Sequence, residues 1–84
     1  MMTNKFTITF RELPWVGARK PYYLAHCKEL DLEAYGHTKE EAYDEISKII
    51  PDHFGWLYRN VKDLSPFFKE QFKYRDYVMP EGGK

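Results

Sequence analysis

The sequence is short of most things that mark a specialised class of protein. One cysteine in 84 residues, Cys27, leaves no partner for an intramolecular disulfide and fits a reducing cytoplasm. The 13 basic and 13 acidic side chains cancel, with six of each in residues 1–42 and seven of each in residues 43–84. So even a spread offers no basic stripe or tail of the kind that neutralises nucleic-acid phosphates. No stretch approaches the roughly 18 uncharged apolar residues of a membrane span, and none resembles a signal peptide. Also missing are a repeat, a linker, a phosphate-cradling glycine loop, a G-x-S-x-G elbow and a zinc-protease helix.

What is present is apolar enough to fold. Leu, Ile, Val and Phe supply 19 of the 84 residues, which with zero net charge argues against intrinsic disorder. Fifteen aromatics outnumber the thirteen Leu, Ile and Val together. A small core gains most per residue from such side chains, but Tyr and Trp carry a polar atom that also suits interfaces. One domain over residues 1–84 is expected, with a core at about 5–50, an aromatic extension at 51–79 and a frayed tail at 80–84.

Periodicity divides that core into three strands and a helix. Phe6, Ile8 and Phe10 alternate with Lys5, Thr7, Thr9 and Arg11, so residues 5–13 read as a half-buried strand. Pro14 and Pro21 bracket a connection too long for a two-residue turn. Residues 22–28 form a second strand with apolar bulk on both faces: Tyr23, Ala25 and Cys27 on one, Tyr22 and Leu24 on the other. Leu30, Leu32 and Ala34 define a third, over residues 30–36, closed by a tight turn at Gly36. Thr38-Lys39-Glu40-Glu41 is a capping box, in which the threonine hydroxyl accepts the Glu41 amide and the Glu41 carboxylate reaches back to the Thr38 amide. Ala42, Ile46, Ile49 and Ile50 then fall on one helical face, and Asp44 and Lys48 form a supporting i,i+4 pair.

Pro51 should interrupt this helix, with residues 51–60 kinked from it or restarted, although Phe54 and Leu57 keep the apolar phase. Ser65-Pro66 starts a short helical turn carrying Phe67, Phe68 and Phe72, and residues 73–79 read as a fourth strand. The expected class is α+β: a small antiparallel sheet of three to four strands with a helix on one face. Tyr23, Ala25, Cys27, Ile46 and Ile49 should be buried together.

Few constellations could carry chemistry. Cys27 would need an activating base to act as a nucleophile, and its neighbour His26 points to the opposite strand face, which leaves a small apolar filler. His26, Cys27, His37 and His53 lack the short paired spacing of metal ligands. Glu29, Asp31 and Glu33 stand on one side of an extended segment; they suit acid/base work with His26 or His37, or simply the wet face of a strand. Arg59 and Lys62, close to Trp56 and Tyr58, could stack on a partner or end a solvated helix.

The run Tyr22-Tyr23-Leu24-Ala25-His26-Cys27-Lys28-Glu29-Leu30 followed by Gly36-His37-Thr38-Lys39-Glu40-Glu41-Ala42 resembles the HicB-like antitoxin family. In that pattern an aromatic strand leads through an acid and a leucine to a glycine, a capping threonine, two acids and an alanine. The resemblance covers about residues 5–50, with Lys28 where a proline is usual, and its motifs are structural rather than catalytic. It implies a small sheet with a helix against one face, and binding to a small RNA-cleaving toxin as well as self-association. Full-length members add a C-terminal DNA-binding part. Here Pro51, an aromatic segment and the chain end follow the first helix, so duplex DNA is not an expected partner.

The expectation is therefore a non-enzymatic, cytoplasmic protein-binding module with no cofactor, metal or membrane. It would bind itself as a homodimer, and a toxin-like RNase, through Tyr22, Leu24, Trp56, Tyr58, Arg59, Phe67 and Phe68. The alternatives are a free-standing nucleic-acid-binding domain that stacks bases on Tyr and Trp, or a small hydrolase built on Glu29, Asp31 or Glu33.

Overall fold

A computed structural model describes residues 4–14 and 22–81. The connection expected between Pro14 and Pro21 lies mostly outside the described residues, as do residues 82–84 of the tail. Strands β1 (Ile8–Leu13), β2 (Tyr22–Cys27) and β3 (Leu32–Gly36) form an antiparallel sheet in the order β1-β2-β3. Helix α1 (Lys39–Arg59) packs across β2 and β3, and a short helix α2 (Pro66–Glu70) follows it. The class is α+β, as the sequence implies.

The register fixes which residues face the helix. Ile8 stands opposite Cys27, Phe10 opposite Ala25, Ala25 opposite Ala34 and Cys27 opposite Leu32. Because side chains alternate along a strand, this set shares one face, and α1 answers it with Ala42, Ile46 and Ile50. Phe6 and Leu30 close the ends of this core. Of the residues expected to be buried together, Ala25, Cys27 and Ile46 are fully buried, while Tyr23 and Ile49 are half-buried against them.

The third strand starts two residues later than its alternation suggests. Leu30 is buried, but it belongs to the β2–β3 turn, whose last residue, Asp31, has φ of 52°. Asp adopts this left-handed conformation more readily than most non-glycine residues, so the turn closes without a glycine. Gly36 has a different role from a tight turn. A Cβ built there would lie 2.5 Å from the Ala42 backbone nitrogen and 2.6 Å from Glu41 Cβ. The end of β3 therefore touches the first turn of α1, and only a residue without a side chain fits.

The helix start differs from the expected capping box by one residue. Thr38 Oγ1 accepts the Glu41 amide at 3.0 Å, whereas the Glu41 carboxylate accepts the amide of His37, at 2.8 Å, instead of that of Thr38. Lys48 lies 3.6 Å from Glu45 rather than pairing with Asp44, whose carbonyl accepts the Ser47 hydroxyl.

Pro51 does not interrupt the helix. Residues 39–59 are one 21-residue helix with the proline inside it. An internal proline costs about 3 kcal/mol, but full burial of one large aliphatic side chain returns about 1.5–3 kcal/mol. Beyond Pro51, Leu57 is completely buried and Phe54 packs on the core, so packing outweighs the lost hydrogen bond.

The expected fourth strand at 73–79 is also corrected. Residues Gln71–Tyr74 form a 3₁₀ turn, and the only pairing among the described residues is an isolated parallel bridge between Lys5 and Val78. Phe6 donates to the Val78 carbonyl at 2.9 Å and Val78 donates to that of Asn4 at 3.1 Å. The ladder stops there because Pro80, the next residue in phase, has no amide to donate. The tail is nonetheless held as far as Pro80, whose carbonyl accepts the Tyr43 hydroxyl at 2.6 Å. Gln71, 3% exposed, is the one buried polar side chain among the described residues. Its Oε1 lies 2.6 Å from His53 Nε2, and its Nε2 reaches the Leu30 carbonyl at 3.5 Å.

These contacts set two stability expectations. Thr38→Ala should cost about 1 kcal/mol through the lost cap. Gly36→Ala should cost about 1–3 kcal/mol, because the atoms it meets are backbone and the first carbon of a side chain. Both read out as a lowered urea midpoint. An unchanged midpoint for Gly36→Ala would refute the close approach of β3 to α1.

Candidate protein-binding surfaces

The sequence-derived binding residues fall into three groups in space. Tyr22 and Leu24 lie on the sheet face opposite α1, where they alternate with Tyr23 and Ala25. Register places Leu24 between Arg11 and Tyr35, and His26 between Thr9 and Glu33. Leu24, Arg11, His26, Thr9 and Glu33 line a shallow cleft of about 220 Å³. Tyr35 is 56% exposed beside it, and the Tyr22 ring packs against His37 at 4.4 Å between centroids. No described element covers this face, which mixes Leu24 and Tyr35 with Thr9, Arg11, His26 and Glu33.

The second group is a cluster where α1 meets α2. Trp56 sits edge-on to Phe68 at 5.2 Å between centroids, and Phe68 sits edge-on to Phe67 at 5.1 Å. His53 stacks on Trp56 at 6.0 Å and contacts Phe68 at 6.3 Å. Trp56 remains 40% exposed and Phe67 59%. Proline at the first position of α2 fixes the turn that brings Phe67 and Phe68 back beside Trp56. Gln71 holds His53 from beneath, so the ring that supports Trp56 is itself anchored.

Tyr58 and Arg59 do not join that cluster. Tyr58 packs on Phe72 at 5.1 Å and borders a groove of about 450 Å³ between α1, the start of the chain and the segment around Arg75. Arg59 stands over Gly55, with Nη1 3.4 Å from the place a Cβ would occupy. Among the described residues the cation placed over a ring is Lys73 above Tyr74, not Arg59 or Lys62. Sequence reasoning weighed His53 only as a metal ligand and Phe72 only as part of a helical turn, and it overlooked Gln71 and Arg75. The i,i+3 spacing of His53 and Trp56 was a usable signal for the histidine, but nothing local announces that Gln71 is buried.

The carboxylates do not converge. His26 Nε2 lies 2.9 Å from Asp31, and Glu33 is the cross-strand neighbour of His26. Glu29 turns away: its carboxylate accepts both the amide and the hydroxyl of Thr7, each at 2.8 Å. The His26–Asp31 pair could pass a proton, but Asp31 is three-quarters exposed and water screens it. Cys27 supplies no nucleophile to that pair. Its side chain is on the helix face, and burial, helped by the nearby Glu29 carboxylate, pushes the thiol above its ordinary 9.0 against a backbone hydrogen bond from Leu30. No group of three or more metal-binding side chains occurs among the described residues, and none of their helices is long and apolar enough to cross a membrane.

No protein-family model, curated protein or solved structure matches the chain.

Glu29 gives the chain a predictable acid limb. Partial burial raises its pKa, but the two Thr7 hydrogen bonds outweigh this and leave it below the ordinary 4.5. The unfolded chain thus takes up this proton first, so the stabilisation is present above pH 4.5 and fades as pH falls through the lower folded value. Urea midpoints measured from pH 7 down to pH 3 should drop less steeply for Glu29→Gln than for the parent. Parallel curves would show that the Thr7 contacts do not form in solution.

Proposed function

We propose that this chain is a non-enzymatic protein-binding module that acts as HicB-like antitoxins do, by holding a small RNA-cleaving toxin. The observation that carries the reading is the aromatic cluster of Trp56, Phe67 and Phe68. Trp56 and Phe67 stay exposed on either side of the half-buried Phe68, while half-buried His53, held by the buried Gln71, supports Trp56 from behind. Holding apolar rings at the surface forfeits the burial free energy they would otherwise contribute, which a binding partner restores. Trp and Phe in such a setting are typical anchors of protein interfaces. The strand–strand–strand–helix order agrees with the fold that the resemblance implies. The sheet face that no described element covers, with Leu24 at its centre, is the surface for pairing with a second copy.

Co-expression with the small RNase-like protein encoded beside this chain should restore growth, and the two should co-elute. Trp56→Ser together with Phe67→Ser should weaken that complex at least tenfold with an unchanged melting temperature. An RNase left fully active by the parent chain, or the lack of any such neighbouring reading frame, would refute the antitoxin reading. In sedimentation equilibrium at micromolar concentration the chain should be a dimer that Leu24→Glu dissociates. A strict monomer would refute self-association.

A further inference from the structure

The groove beside Tyr58 has a chemical character of its own. Its walls are Phe6, Ile50, Phe54, Tyr58 and Tyr77, and Gly55 leaves its floor without a side chain. Its volume of about 450 Å³ lies within the range of small-molecule sites, but it is an open channel rather than an enclosed cavity. An enclosed pocket surrounds a small ligand. A channel open to water suits a length of chain laid along it.

One guanidinium lines this channel, and a second stands beside Gly55 at its edge. Arg75 lines it directly and uses one N–H, from Nη1, on the Phe72 carbonyl at 3.1 Å. Arg59 Nη1 stands over Gly55. Among the described residues no carboxylate lies within ion-pair distance of either group, although the chain has as many acids as bases. Guanidinium carries five N–H donors in a flat fork that matches a carboxylate, so both arginines retain most of their donors for another molecule. An apolar trough flanked by two unneutralised arginines selects an occupant with an apolar body and negative charge.

We propose that this groove receives an acidic peptide segment of a protein partner, an aromatic or aliphatic side chain seated over Gly55 and adjacent carboxylates paired with Arg59 and Arg75. The inference rests on the protein-binding reading above and adds the chemistry of the partner. The missing Cβ at residue 55 matters here, because any side chain would fill the floor and press on Arg59.

The test is selection of a displayed random 12-residue peptide library on the full chain and on the charge-reversed Arg59→Glu/Arg75→Glu variant, both checked for equal melting temperature. Peptides enriched on the parent should carry Asp or Glu next to Phe, Leu or Ile. Synthetic copies should shift the amide resonances of Phe6 and Tyr77, and should bind the charge-reversed variant at least tenfold more weakly. That variant should instead enrich peptides with Lys or Arg at the same places. Enriched peptides without acidic residues, or shifts confined to Phe67, Phe68 and Lys69, would overturn the groove inference and leave the protein-binding reading standing. Enrichment of nothing on either protein would overturn both. If the double variant unfolds, Gly55→Leu replaces it, and unchanged peptide affinity in that variant would equally refute the groove.

Discussion

Everything in this fold depends on how closely α1 can lie on the sheet. The contact is made by small residues: Ala25 and Ala34 on adjacent strands and Ala42 on the helix, all buried. At Gly36 the backbone of β3 comes so near the first helical turn that no carbon atom fits between them. With backbones this close, Ile46 and Ile50 reach fully into the layer and Cys27 fills the remaining space. The cap at Thr38 then sets the point where the helix begins, and so the phase of every buried residue along its 21 positions.

That phase explains the surface as well. The same helix that buries Ala42, Ile46, Ile50 and Leu57 must turn Trp56 and Tyr58 outward, because residues next to a buried position lie about 100° away from it. The two aromatic surfaces are thus the flanks of one buried stripe. Tyr58 leans over the groove and Trp56 over α2, and the proline at position 51 leaves both orientations intact because the helix continues through it.

The core was legible in the sequence wherever local period decided the outcome. Ile8 and Phe10 announced a strand, Thr38 announced a cap and the isoleucines announced a helical face, and each stands where that pattern placed it. The strand expected from residue 5 begins at Ile8, because Lys5 bridges Val78 instead and Phe6, though buried, precedes it. Errors came where a distant contact outvoted a local rule. Pro51 was expected to break a helix that Leu57 holds together from the far side. Residues 73–79 looked extended, yet their first two belong to a 3₁₀ turn that starts at the buried Gln71, whose contacts are with His53 and Leu30, far away in sequence. Trp56, Phe67 and Phe68 were legible as a group by composition, but the Arg75 side of the groove was not. It is assembled from residues more than fifteen positions apart.

Gln71 bridges three parts of the chain that are made at different times. It joins His53 on α1 to the carbonyl of Leu30 in the β2–β3 turn, and a few residues later Val78 pairs with Lys5. During synthesis the sheet and most of α1 leave the ribosome first, while Leu30 still lacks the amide that will satisfy it. Contacts spanning so much of the chain are slow to form, and here they hold the segment that carries Arg75 and Tyr77 of the groove and anchor the His53 ring stacked on Trp56. The hydrophobic layer therefore comes from earlier chain than the recognition surfaces, and a partner meets those surfaces only once the segment from Pro66 to Val78 has docked on the layer.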